Sequence, residues 1–187
     1  MSIQTYAPQQ DMPPPVTSGT TLQTFTDNFG ELWVAKNGVN GGAWRRPRDV
    51  LQSRVYRSAA FTTSTTAGIF GWDTVWRDTY GMWVGNPSYW FLIPITGFYR
   101  ISFDISCAAT AANHWYQGWI RVNSVNQTDD ASFSTSLASA TLFTRSTALV
   151  YCAANDQIVT QHQSSAAFNG NPSNLYCHFE CVYMGTG

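Results

Sequence analysis

Between Phe91 and Cys107 the chain reads FLIPITGFYRISFDISC. Apolar residues hold nearly every odd position: Phe91, Ile93, Ile95, Tyr99, Ile101, Phe103, Ile105 and Cys107. The even positions of the second half are Arg100, Ser102, Asp104 and Ser106. A repeat of two puts one face of a strand in a core and the other against water. Pro94 and Gly97 interrupt the first half, which predicts a strand edge followed by a tight reversal. Long alternating strands joined by a short glycine turn build antiparallel sandwiches, and this points away from most enzyme scaffolds.

The same reading extends along the chain. Strands are predicted at 52–61, 68–76, 79–84, 88–95, 98–107, 114–123, 131–137, 141–153, 156–163 and 174–184. In the last, Leu175, Cys177, Phe179, Cys181 and Tyr183 share one face and Tyr176, His178 and Glu180 the other. No amphipathic helix and no internal repeat of solenoid length stands out. The predicted class is all-β, an antiparallel β-sandwich of the jelly-roll kind.

Three segments are expected. Residues 1–20 are rich in Pro, Gln, Ser and Thr, with Pro13, Pro14 and Pro15 at their centre. They read as an extended arm that orders against a partner. Residues 21–50 read as a β-hairpin element: a strand at 31–35, the turn-rich KNGVNGG, and a return strand at 43–46 ended by Pro47. Two strands alone are marginal in water, so this element needs a neighbour. Residues 51–187 form the head, long enough to bury roughly 70% of its unfolded surface.

Charge narrows the partners. A formal net charge of −1 gives no global attraction to nucleic acid or to an anionic membrane. Only 11% of residues are charged while 15% are aromatic, which argues for surface covered by copies of the chain itself. Lys36 is the single lysine, and Arg45, Arg46, Arg48, Arg54 and Arg57 crowd one short region. No stretch approaches the roughly 20 apolar residues of a membrane span. The first residues lack the basic-then-apolar order of a secretory signal, so synthesis in a cytosol is expected. Cys107, Cys152, Cys177 and Cys181 lack the close spacing of a zinc site and are expected as buried free thiols.

Two resemblances follow from particular residues. The opening strand SRVYRSAAF, the aromatic stretch IFGWDTVW and Phe91, Pro94, Gly97 and Tyr99 fall in the order of an F-x-x-P-x-x-G-x-Y signature. With Asn155-Asp156 before a late strand, this resembles the jelly-roll head of complement-component-one-q and tumour-necrosis-factor-like proteins. Asn155 stands where that family has glycine, and no collagen-like stalk is present. The resemblance implies a homotrimer. Separately, Gly30, Glu31, Trp33, Val34, Ala35, Lys36 and Gly38, then Ala43, Trp44, Arg48, Asp49, Val50 and Leu51, are similar to a segment of minor tail and other virion-surface proteins of actinobacteriophages. That similarity implies location in a virion and explains how an unexported protein reaches an outer surface.

No nucleophile elbow, P-loop or His-Glu-x-x-His motif is present. His114, His162 and His178 are scattered and read as half-exposed strand residues. Asp73, Asp78 and Asp104 are read as turn and edge acids rather than a glycosidase pair. Asp129-Asp130 alone makes a poor calcium site. No cofactor, metal or catalytic residue is expected. The aromatics remain: Trp72 and Trp76 are expected on one strand face and Trp115 and Trp119 on another. Trp83 and Trp90, around a loop holding Asn86, are the candidates for stacking on a host-surface glycan. Pro13, Pro14, Pro15, Trp33, Trp44, Arg45 and Arg46 are the candidates for anchoring to other virion proteins. The expected function is a non-enzymatic, trimeric virion protein, a minor tail or fibre head for host attachment. The alternatives are capsid decoration or a head fibre, and a glycan-cleaving depolymerase.

Overall fold

The computed structural model describes residues 23–26, 32–35, 44–47, 51–108, 114–128, 141–173, 175 and 177–186. The predicted arm at 1–20 and strand at 131–137 lie outside these. The chain divides into two compact units, Met1–Val50 and Leu51–Gly187.

In the first unit β1 (Gln23–Thr26) pairs antiparallel with β2 (Leu32–Ala35), Phe25 standing opposite Trp33. The hairpin differs from expectation. Among the described residues, the segment predicted as the return strand contributes one bridge: Val34 N donates to Arg45 O at 2.8 Å and Arg45 N to Val34 O at 2.9 Å. The main partner of β2 is QTFT, whose one apolar residue left too weak a pattern to read as a strand.

Among the described residues the second unit has two sheets of six strands each. One runs β10 (Val125–Asn126), β9 (Tyr116–Val122), β12 (Gln157–Ser164), β7 (Trp90–Leu92), β6 (Trp83–Val84), with β4 (Gly68–Ile69) also on β12. The other runs β11 (Thr141–Cys152), β8 (Gly97–Ala108), β14 (His178–Gly185), β3 (Gln52–Tyr56), β5 (Thr74–Asp78), with β13 (Asn169–Gly170) also on β8. Every pairing is antiparallel. The fold is a jelly-roll sandwich.

All eight odd-position residues of the opening segment are buried, from Phe91 at 0% exposure to Ile95 at 6%. The interruption between them is not a reversal within one sheet. β7 and β8 belong to different sheets, so residues 93–96 form a corner that carries the chain across the core. Ile93 N donates to Asp156 O (2.9 Å), Asn155 N to Ile93 O (2.7 Å) and Ala154 N to Thr96 Oγ1 (3.1 Å). The buried Tyr99 hydroxyl closes the corner by donating to Ile95 O at 2.8 Å. Asn155 takes a φ of 73°, a left-handed conformation that asparagine tolerates where glycine would be the default.

Aromatic rings fill the space between the sheets. Phe91 stacks near Phe179 (4.3 Å between centroids), Phe179 near Trp72 (5.8 Å), and Trp72 near Phe70 (4.4 Å). Full burial of such a side chain stabilises by about 1.5–3 kcal/mol. The Trp72 Nε1 proton goes to Thr160 Oγ1 at 2.9 Å, so the indole is buried without an orphaned donor.

Some strands are shorter than predicted. β3 ends at Tyr56 because the chain turns there. The amides of Ser58 and Ala59 donate to the Asp73 carboxylate at 2.7 and 2.9 Å. β14 begins at His178. The preceding turn, closed by Cys177 N on Ser173 O, leaves Leu175 65% exposed instead of in the core. Ser106 also departs from the alternation. Although on the outward face, it is buried, because Asn171 N and the Cys177 thiol engage its backbone.

Gly97 is the tightest point of the corner. A Cβ there would stand 2.5 Å from Tyr183 Cε2 and 2.7 Å from Gly185 O, at a φ of +158°. Gly97→Ala is therefore expected to destabilise the head by about 2–4 kcal/mol in urea unfolding, combining overpacking with backbone strain. An unchanged unfolding midpoint would contradict this account of the corner.

Candidate functional site

The predicted loop site is built on the β6–β7 hairpin. The Asp78 carboxylate accepts from Met82 N (2.8 Å) and Trp83 N (3.1 Å) and fixes the entry to β6. Gly85 O accepts from Ser88 N (2.8 Å) and Tyr89 N (3.2 Å), closing the turn that presents Asn86 to solvent. The two tryptophans are not brought together. Trp83 stands opposite core residue Phe91, its ring edge-on at 5.4 Å, whereas Trp90 stands opposite Val84. Cross-strand partners share a face and neighbours alternate, so Trp83 and Trp90 point to opposite faces of the hairpin. Both are half-buried.

The Trp72 and Trp76 pair separates too. Trp72 precedes β5 and is 1% exposed, while Trp76 within β5 is 55% exposed. The expectation that they share a face fails because regular strand geometry begins only at Thr74. A β-bulge then intervenes: Arg54 pairs with Arg77 and Val55 with Val75, leaving Trp76 as the extra residue. Trp119 lies on the outward side of β9, half-buried like Trp115 just before that strand.

The bulge builds a cleft that sequence reading missed. Gln52, Ser53, Arg54, Trp76, Arg77 and Glu180 line a depression of about 190 Å³ on the outer face of the β14–β3–β5 edge. The Arg54 guanidinium carbon lies 4.2 Å from the Trp76 ring centroid. With its amide oriented to suit, Gln52 accepts from Arg77 Nη1 at 3.1 Å and Nη2 at 3.2 Å. Glu180 stands opposite Arg54 in register and lies 3.7 Å from Arg100. The signal in the sequence was the arginine run. The bulge that turns Trp76 outward beside it leaves no trace in the pattern of residues.

Of the anchoring candidates, Pro13, Pro14 and Pro15 lie outside the described residues. Trp44 is 9% exposed and meets Phe25 edge-on at 6.0 Å. Arg46 lies 5.7 Å from the Trp33 ring, and Arg45 is exposed beside its backbone bridge to Val34. Phe25, Trp33, Trp44 and Arg46 make one small aromatic and cationic cluster on the hairpin.

The described acids are engaged locally. Burial alone would raise the pKa of Asp73, but the Ser58 and Ala59 amides and the Thr74 and Ser58 hydroxyls outweigh it and lower it. Asp73 also pairs with Arg57 at 3.4 Å. Asp104 is raised by burial, against the pull of Arg145 at 3.4 Å. Asp129 and Asp130 lie outside the described residues. All four cysteines are free and buried, and burial pushes the Cys107 thiol up to about 12. Among the described residues no three His, Cys, Asp or Glu side chains are grouped to hold a metal ion. No described helix is long and apolar enough to cross a membrane.

No protein-family model matches the sequence, and no curated protein is similar to it. Solved structures do match the fold. The chain is similar to Eiger TNF from S. frugiperda, with a TM-score of 0.56 at 10% identity, over 74% of this chain and 94% of that one. It is similar to the globular domain of zebrafish complement 1qA protein, with a TM-score of 0.52 at 12% identity, over 73% of this chain and 98% of that one. The head is thus a complement-1q/TNF-like jelly roll.

Two histidines are held neutral inside this fold. His162 is 7% exposed, faces the Tyr116 hydroxyl at 3.0 Å, and is lowered by burial to about 4. His178 is lowered to about 4 by burial, then by Arg54 and Arg145. The unfolded chain binds these protons near pH 6.5, so the stabilisation is complete above that value and is lost as pH falls toward 4. His162 alone carries on the order of 3 kcal/mol. The raised Asp104 acts with the opposite sign. Melting temperature is expected to fall between pH 6.5 and 4, less steeply in His162→Gln. A flat profile in the native protein would contradict the assignment.

Proposed function

We propose that this chain is a non-enzymatic structural protein of a phage particle. Its head associates as a homotrimer, residues 1–50 attach it to other virion proteins, and the exposed end of the head meets the host surface. The reading of a virion setting rests on the resemblance read in the 16–61 segment, with Trp33, Trp44, Arg48 and Asp49, to virion-surface proteins.

One observation carries the self-association. On the outer face at the β11–β8–β14 end, Leu149 is 64% exposed, Tyr151 57% and Met184 49%. Phe98 stands opposite Tyr151 with its ring at 5.2 Å, and both Leu149 and Val182 flank Arg100 in register. A contiguous apolar patch on a sheet face marks a surface for association. A closed ring of identical contacts buries it in every copy without leaving a free sticky end.

The mass of the purified protein by light scattering should equal three protomers, and Leu149→Arg should shift it to one. A native chain that runs as a monomer at micromolar concentration would overturn the trimer. Deletion of residues 1–20 should leave the head's melting temperature intact while removing the protein from purified particles. Particles that take up the truncated chain normally would overturn the anchoring role.

A further inference from the structure

We propose that the Trp76 cleft is a binding subsite for an anionic saccharide, a sugar ring carrying a carboxylate or phosphate. This extends the attachment reading to a class of ligand, but it stands on geometry in a single protomer.

The first observation is a pair of like charges. Arg54 and Arg77 stand directly opposite each other across β3 and β5. Like charges in that position are unfavourable in a sheet, and a guanidinium is a planar donor suited to a carboxylate or phosphate. Glu180, an acid lining the cleft, stands opposite Arg54 in register and lies 3.7 Å from Arg100. Gln52 holds Arg77 by both terminal nitrogens, which pre-orients the guanidinium.

The second observation is Trp76. An indole that is 55% exposed, on a bulge, with a guanidinium stacked at 4.2 Å, is a rigid platform rather than a core residue that failed to bury. The apolar face of a sugar ring packs on such a platform, while Gln52 and Glu180 offer partners to its hydroxyls. The cleft, about 190 Å³, holds roughly six waters' worth of liquid. That suits one ring, and not the run of stacked bases that a single-stranded nucleic acid would bring.

The cleft is also distinct from the apolar patch. Their far strands, β5 and β11, are opposite edges of a five-strand path, about 19 Å apart at the usual inter-strand spacing, while β14 borders both, with Val182 opposite Gln52.

The test is calorimetric titration of the full-length protein with four probes: a glucuronate-containing disaccharide, a hexose phosphate, maltose and a short oligodeoxynucleotide. At least one acidic sugar should bind about tenfold more tightly than maltose, and whichever of the two binds better identifies the acid group. Trp76→Ala and Arg77→Ala should each weaken it about tenfold with unchanged melting temperature, and Arg77→Lys should weaken it less. The proposal is overturned if neither acidic sugar exceeds maltose, if the oligonucleotide binds most tightly, or if both alanine variants bind like the native protein. Because the titration needs neither particle nor host, its failure leaves the trimer and anchoring readings to their own tests.

Discussion

The sandwich depends on the corner at residues 93–97. Phe91 and Tyr99 both point into the core, but from opposite sheets, so the corner between them sets how the two layers meet. Buried main-chain groups in a corner have no ladder to satisfy them and must find partners elsewhere. Here the 153–156 turn supplies them: Ile93 gives its amide to Asp156 and its carbonyl to Asn155. Asp156 in turn accepts from Ala153 N at 2.8 Å and from Asn123 Nδ2 at 2.6 Å, tying the β9–β10 turn into the same knot. Three connections far apart in sequence are thereby fixed at one end of the molecule.

The interior is apolar but not free of polar groups, and their satisfaction is uneven. Tyr116 and His162 share a proton-bearing contact, and Ser164 Oγ donates to Ala166 O at 2.7 Å. Ser53 Oγ, Ser106 Oγ and Thr144 Oγ1 are buried without a partner. Each such group forfeits about 1–3 kcal/mol of hydration. Thr144 shows why a small residue was needed beside it. Gly118 leaves room for the Phe103 ring, and a Cβ there would come within 2.8 Å of that ring and 2.9 Å of Thr144 Oγ1. Close packing of Phe103 is gained at the cost of a hydroxyl with nothing to bond.

Legibility in the sequence followed the physics of alternation. The eight apolar positions between Phe91 and Cys107 were readable because a regular strand repeats every two residues and every one of them entered the core. Trp76 was not, because a bulge resets the count and sends the next side chain to the wrong face. Trp83 and Trp90 flank one loop in sequence, yet the register that pairs Trp83 with Phe91 makes them diverge. Turn geometry, not spacing, sets that register. Leu175 looked like a core residue by parity alone, and the Ser173 turn took it out. Regular strand stretches were therefore open to reading, and bulges, turns and registers were not.

The outer face of the β11–β8–β14–β3–β5 sheet divides its chemistry by position. Its β11–β8 corner is apolar, with Phe98, Leu149 and Tyr151; the central rows carry Arg145, Asp104, Glu180 and Arg54; the β5 edge ends in Arg77 and Trp76. A charge carried into a self-association interface loses hydration that a partner must replace in good geometry. Covering the apolar corner while leaving Arg54 and Arg77 in water limits that cost to Arg100, which stands opposite Leu149 and pairs with Glu180. The exposed ion pairs between them, Arg145 with Asp104 and Arg100 with Glu180, add little stability by themselves. Their consequence is orientation: alternating charge across the middle of the sheet penalises a neighbouring copy that slides from the corner toward the cleft. One sheet face thus sets its apolar corner on β11–β8 and its arginine edge on β3–β5, with β14 between them.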